Sequence, residues 1–319
     1  MSEAGPTPLV DDPQTAPAFR LPPHDEFYAQ MTTRNAGLVS AAEQDGLRRA
    51  WVLVAGCGSV GGAVIEPLVR MGVEHLVLAE PDGYDVHNMN RQSVRIQDIG
   101  RNKAEVFKER MLEINPYAEI EVLPHGITAD NVEESVRKAD VIVDAVDVTT
   151  KPPLKAKFSL HEDAKRLGKP VVAGYDVAGL QMILFYDYRQ PQTRVLHGRV
   201  RADAVDTIEP MVFLSRVVPI KAIPYEIIPE LRRQIRGERS GFPQIVYTSH
   251  LFGVLALRAI MDILAGRPVR RRVIVDVNDL MRPLGERVRT GVARLGGLYA
   301  LNNEFRRSRK ARAVGDRPA

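Results

Sequence analysis

The chain has 319 residues, of which 45% are hydrophobic and 26% charged, with a formal net charge of +4. That is enough apolar content for one large or two smaller packed domains. A single cysteine excludes an intrachain disulfide framework and any zinc site built from paired cysteines. No stretch approaches the roughly 18 unbroken apolar residues of a membrane span, and the N-terminus lacks the basic-then-apolar order of a secretory signal. The expectation is a cytoplasmic protein without a membrane partner.

Residues 1–24 carry six prolines and little apolar periodicity, which predicts a disordered arm. Residues 25–50 contain short helical patterns through Phe27, Tyr28, Met31, Leu38, Val39 and Leu47. From Trp51, β-branched runs alternate with amphipathic segments, the order of βαβ units around a mostly parallel sheet. Strands are expected near 51–55, 75–79, 119–123, 140–145 and 170–174, and helices near 59–72, 101–114, 130–138 and 155–168. After Gly179, LQMILFYDY reads as a strand of a more antiparallel half. The proline-rich region 210–245 carries no clear periodicity. The run SHLFGVLALRAIMDILAG predicts a helix apolar round so much of its circumference that it is largely buried, and VRRRVIVDVN a last strand. The expected fold class is therefore α/β: a Rossmann-like, mostly parallel sheet flanked by helices, continuing into a more antiparallel second half. The final segment holds Arg306, Arg307, Arg309, Lys310, Arg312 and Arg317 against Asp316, a basic tail of the kind that is usually a solvated end.

Gly56, Gly58 and Gly61 form G-x-G-x-x-G between a strand and a helix, the context in which this spacing holds a nucleotide. The first glycine allows a tight turn, the second lets ribose or phosphate approach, and the third lets helix and strand pack closely; the N–H groups of the helix start favour an anion. Glu80, at the end of the next strand, is placed to hold ribose hydroxyls. To this point an NAD-dependent oxidoreductase and an ATP-using enzyme fit equally well. The next segment favours ATP: Asn88, Asn90, Arg91 and Gln92 fall on a polar turn and Lys103 at a helix start, so Arg91 and Lys103 are available to concentrated triphosphate charge. Asp147, at the carboxyl end of VIVDAVD, suits Mg²⁺. His250, on the apolar helix, reads as a satisfied core or interface residue. Cys57 reads as a small packing residue of the turn, because a thiolate there would face phosphate.

Taken together, GCGSVGG, NMNRQ, GRNKAEV, INP and DAVD resemble the motifs of the ubiquitin-activating-enzyme-like adenylyltransferases of the ThiF/MoeB/HesA type. The resemblance covers about 30–280. It implies a ThiF-like domain over 25–285, after the arm at 1–24 and before a C-terminal extension at 286–319. It also implies ATP and Mg²⁺ as cofactors, with Glu80 on the ribose, Arg91 and Lys103 on the phosphates, Asp147 on the metal, and Asn88 and Gln92 supporting the turn. RNAGLVSAAEQDGLRRAWVLVAG resembles the lead-in helix whose arginine reaches the partner's ATP site, which implies a homodimer with Arg34 contributed in trans. The implied reaction is attack of a carboxylate, commonly the C-terminus of a small β-grasp carrier protein or a peptide, on the α-phosphate of ATP. The sequence departs from the pattern in lacking zinc cysteines and a later thioester cysteine, in Val148 beside Asp147, and in Glu rather than Asp at 80. The first departure implies no zinc, and the second an acyl group passed to another molecule. Within the family, a tRNA-modifying dehydratase is the alternative, with tRNA as partner; DVAGLQM departs from that branch. A non-catalytic scaffold is the remaining reading, opposed by the intact charged positions.

Overall fold

The computed structural model describes residues 20–149, 151–238 and 241–315. The arm over residues 1–19 and the side chains of the basic tail from residue 308 onward lie outside the described residues.

Two short helices, α1 (His24–Thr32) and α2 (Ala41–Arg49), precede the sheet; Ser40 caps α2 by accepting from the Glu43 N–H while the Glu43 carboxylate accepts from the Ser40 N–H. The chain then alternates β1 (Trp51–Ala55), α3 (Ser59–Arg70), β2 (His75–Ala79), α4 (Lys103–Ile114), β3 (Glu119–Leu123), α5 (Val132–Lys138), β4 (Val141–Asp144), α6 (Lys151–Arg166) and β5 (Val171–Val177). A tight hairpin leads into β6 (Leu180–Tyr186). Short helical turns follow, then α7 (Pro210–Val217), α8 (Ile228–Ile235), α9 (Val246–Leu264), β7 (Arg272–Asp276), α10 (Val277–Met281) and α11 (Leu284–Gly315).

All seven strands form one sheet in the order β3-β2-β1-β4-β5-β6-β7. The first five are mutually parallel, while β6 runs antiparallel to both β5 and β7. Strands β1, β2 and β4 are buried on both faces, which explains their continuous Val/Leu/Ile/Ala runs, while the edge strand β3 alternates, with Glu119 and Glu121 exposed. One core layer lies under α3, α4 and α9, and the other under α5, α6 and the segment from 195 to 222. Strand order reverses at β1 and β4, so the crevice at their carboxyl ends is the topological switch point where such sheets bind ligands.

The sequence expectation for the apolar helix needs correction. Among the described residues α9 alone has the length and composition of a membrane span. It packs along α3 so closely that a Cβ on Gly253 would fall 2.2 Å from the Ala63 carbonyl oxygen. Yet only one face is covered: Phe252, Ala256 and Ile260 are fully buried, while Val254 is 64% exposed. The all-round apolar composition reports an uncovered side as well as a core side.

Candidate active site

The loop after β1 turns on Gly56, whose φ of +91° lies in the region that favours glycine, and whose added Cβ would sit 2.4 Å from the Ala145 carbonyl. Gly61 lies one turn into α3, where a Cβ would meet the Gly56 carbonyl oxygen at 1.8 Å; it serves helix–strand packing and does not line the cavity. Gly58 differs, since an added Cβ would meet nothing nearer than Gln92 Nε2 at 3.8 Å. Internal packing therefore does not explain the missing side chain, and Gly58 opens onto the cavity.

Glu80, one residue beyond β2, is 4% exposed. Its carboxylate accepts from the Cys57 N–H at 2.6 Å and from the Asp82 N–H at 3.0 Å. Burial pushes its pKa up, and the Lys103 ammonium and these N–H groups oppose that rise. Lys103, also buried, stands 3.9 Å from Glu80 and 3.6 Å from Asp82 at the first position of α4. Asn102 fixes that helix start by accepting from the Ala104 and Glu105 N–H groups and donating to the Glu80 carbonyl at 2.8 Å.

The turn from Asp85 to Gln92 crosses the same opening. Asn88 is buried and its Oδ1 accepts from the Asp85 N–H, while its own carbonyl accepts from the N–H groups of Arg91 and Gln92. Asn90 donates to the Gln244 carbonyl at 2.9 Å, tying the turn to the segment before α9. Arg91 donates through Nη1 to the His87 carbonyl and to Asn90 Oδ1, which aims the guanidinium. Its Nε and the Oε1 of Gln92 are buried without a hydrogen-bond partner.

Asp147 follows β4 by three residues and is exposed, its carboxylate accepting from the Thr149 N–H and hydroxyl. Asp144 belongs elsewhere. It is fully buried against Lys157 Nζ at 2.5 Å and His161 Nε2 at 2.8 Å, which with the nearby charges hold its carboxyl at about 2 despite burial.

The sequence reading missed Asp176. It sits at the end of β5, beside the β4 end, and lines the same cavity as Arg91 and Asp147. Ser249 on α9 donates to its Oδ2 at 3.3 Å, and Ser249 in turn pairs with Ser59 at the start of α3. Its Oδ1 is buried without a partner, and burial pushes its pKa up to about 7 against the pull of Ser249 and Arg91. The one local hint is an acid interrupting the apolar run VVAGYDV, which by itself does not say which neighbours it meets.

The cavity enclosed by these elements measures about 1180 Å³. Gly56, Gly58, Glu80, Asn88, Asn90, Arg91, Gln92, Lys103 and Asp147 all line it. Arg34 does not: it is exposed on the Thr33–Asn35 turn. His250 is exposed rather than core, with Nδ1 against the Val246 carbonyl at 2.9 Å. Cys57 is fully buried, and burial, then the Glu80 charge, pushes its thiol pKa well up. Among the described residues no three His, Cys, Asp or Glu side chains cluster as a metal site.

The ThiF family model matches residues 32–293. A sulfur carrier protein adenylyltransferase of Thermus thermophilus is 33% identical over 151 residues, 47% of this chain and 53% of that protein. A tRNA threonylcarbamoyladenosine dehydratase of Haemophilus influenzae is 37% identical over 122 residues, 38% of this chain and 45% of that protein. The chain thus spans about half the length of these curated relatives. The crystal structure of PaaA shares the fold, with a TM-score of 0.56 and 18% identity over 80% of this chain and 79% of that one.

Proposed function

The chain belongs to the ThiF family, and from that premise we propose that it uses ATP to adenylate a carboxylate, releasing pyrophosphate. One observation carries the reading: Glu80, Arg91, Lys103 and Asp147, drawn from four separate segments, line one cavity at the switch point of the sheet. Glu80 would accept from ribose hydroxyls with the acceptor capacity left after its two N–H contacts. Arg91 and Lys103 would neutralise phosphate charge that grows as pyrophosphate departs. A carboxylate is already a nucleophile, so positioning and charge neutralisation suffice.

Asp147 would hold Mg²⁺. One carboxylate completed by phosphate oxygens is a donor set this ion takes, and it matches a site without an all-protein cage. When bound, the ion supplies charge neutralisation at the triphosphate.

The protein or peptide C-terminus, including that of a small β-grasp carrier, is the substrate form supported by the Thermus relative's description as acting on a sulfur carrier protein. No thioester step on this chain is proposed, because its one cysteine is buried in the nucleotide turn with a raised pKa. The acyl group would pass to an acceptor on another molecule. The dehydratase relative supports a second reading, adenylation of a carboxylate on tRNA.

A homodimer is also proposed, with Arg34 reaching the partner's site. Arg34 is exposed, and Leu284, Val288, Val292, Leu295 and Tyr299 form an exposed apolar stripe at helical spacing along α11.

ATP–pyrophosphate exchange driven by peptides ending in Gly-Gly, by acids or peptide ends carrying a large apolar group, or by tRNA, tests the reading. Exchange that falls at least about a hundredfold in Arg91→Ala and Asp147→Ala supports it. Exchange indifferent to both substitutions overturns the assigned site, and full activity in Arg34→Ala mixed dimers overturns the shared one.

A further inference from the structure

The cavity is larger than a nucleotide site needs to be. At about 1180 Å³ it exceeds the roughly 300–1000 Å³ usual for a single small ligand. Its character changes across Asp176. On the side of β1, β2 and the Asn88–Gln92 turn the wall carries the charged and amide groups described above. On the other side α7, α8, the segment 241–244 and α11 supply Met211, Leu214, Leu231, Phe242, Leu301 and Phe305. Among the described residues that α7, α8 and α11 contribute, only Ser215 and Asn302 are polar.

This apolar chamber is a built part of the fold. Ile227, Leu231 and Leu301 form a separate buried cluster, against which Met211 and Phe242 pack. Arg232 on α8 donates to Glu304 on α11 at 2.6 Å and 3.0 Å, so the two helices are held together behind it. The chamber joins the nucleotide side directly: Asp176, Val177 and Ala178 are consecutive, and both they and Asp147 line the one cavity.

We infer that the acyl side of this site takes a carboxylic acid whose carboxylate carries a large aliphatic or aromatic group, with that group seated between α7, α8 and α11. The inference rests on the adenylation reading and deepens it. An attacking carboxylate must lie beside the α-phosphate, and the adjoining space is lined by hydrocarbon. An extended Gly-Gly tail brings main-chain donors and acceptors that such walls leave unpaired, and it fills little of the volume. An alkyl chain or aromatic ring removes the same walls from water. The acid is either a free acid or a peptide with a large apolar C-terminal residue, sources that share this chemistry.

Three sulfamoyladenosine mimics of an acyl-adenylate, titrated calorimetrically into the full chain, test this: octanoyl, N-acetylphenylalanyl and glycylglycyl. The octanoyl or acetylphenylalanyl mimic is expected to bind at least about a hundredfold more tightly than the glycylglycyl mimic. The tighter of the two identifies the source as a free acid or a peptide end. Leu214→Gln and Met211→Gln, at half-buried positions that tolerate a polar group, are each expected to cut that preference at least about tenfold while leaving ATP affinity unchanged. Equal or tighter binding of the glycylglycyl mimic, with ATP still bound, overturns the inference alone, as does a preference that survives both substitutions. Failure of ATP and every mimic to bind overturns the adenylation reading, and this inference with it.

Discussion

The main-chain N–H of Cys57 donates to the Glu80 carboxylate at 2.6 Å, joining the nucleotide turn after β1 to the end of β2. The contact involves the cysteine's backbone, not its thiol, and it separates the roles of the two residues. Glu80→Gln places an amide where two N–H donors converge. It is expected to weaken ATP binding by about tenfold or more, the loss of a charge-assisted acceptor. Cys57→Ala keeps the N–H and should hold ATP affinity within about twofold. Calorimetric titration of both variants checks this; loss of binding in Cys57→Ala alone would reverse the assignment.

Gly58 and Gly61 should fail differently when changed to alanine. Gly61→Ala drives a methyl into the Gly56 carbonyl, so the expected result is a destabilised fold, by about 1–3 kcal/mol as for other overpacked sites. Gly58→Ala meets no protein atom within 3.4 Å and should unfold at nearly the wild-type denaturant midpoint, yet bind ATP poorly. Urea melts paired with nucleotide titrations separate the two. Matching losses of stability would remove the argument that Gly58 leaves space for a ligand.

Asp176 ties stability to pH. Its folded pKa of about 7 stands above the ordinary value of 3.8, so the protonated form is the one the fold favours. Its contribution is fully present below about pH 4 and is lost as pH rises through 7, on the order of 4 kcal/mol at most. Asp176→Asn removes that loss. The variant's melting temperature relative to wild type should rise between about pH 4 and pH 8 by roughly the shift such an energy implies. A pH-independent difference would show that the carboxyl is not buried as described.

Lys157 and Asp144 are 1% and 0% exposed, with His161 completing the group through the Tyr188 hydroxyl at 2.7 Å. Burial lowers the His161 pKa despite Asp144, so the neutral ring donates through Nε2 to Asp144 and accepts the Tyr188 O–H at Nδ1. Lys157→Met leaves a buried carboxylate short of its cation, and about 3–5 kcal/mol of unfolding free energy should be lost. Chemical denaturation measures it; a neutral result would mean that Asp144 takes up a proton at little cost.

Much of this architecture is legible in the residues. The strand runs at 51–55 and 75–79 coincide with β1 and β2 because central parallel strands buried on both faces are continuously apolar, and 119–123 coincides with β3, an edge strand whose Glu119 and Glu121 alternate outward. The turns at Gly56 and Asn102 follow from local chemistry, a positive φ in one case and a helix cap in the other. Region 210–245 was opaque because its proline-bounded short helices bury side chains against the sheet's end, a tertiary contact without a period of its own. Asp176 escaped for a similar reason. An acid in an apolar run is a weak local mark, and its meaning comes from β5 lying beside β4 and from Ser249, distant in sequence. Arg34 was placed by resemblance alone, and in a single chain it stands outside the cavity.

The central claim is that this cavity binds ATP for adenylation rather than a nicotinamide cofactor for hydride transfer. Calorimetric titration of the full chain with ATP and Mg²⁺, and in parallel with NADH, tests it most directly. The account predicts saturable ATP binding, one molecule per chain, that Lys103→Ala and Arg91→Ala each weaken at least about tenfold, with no NADH binding. Saturable NADH binding without ATP binding would contradict it.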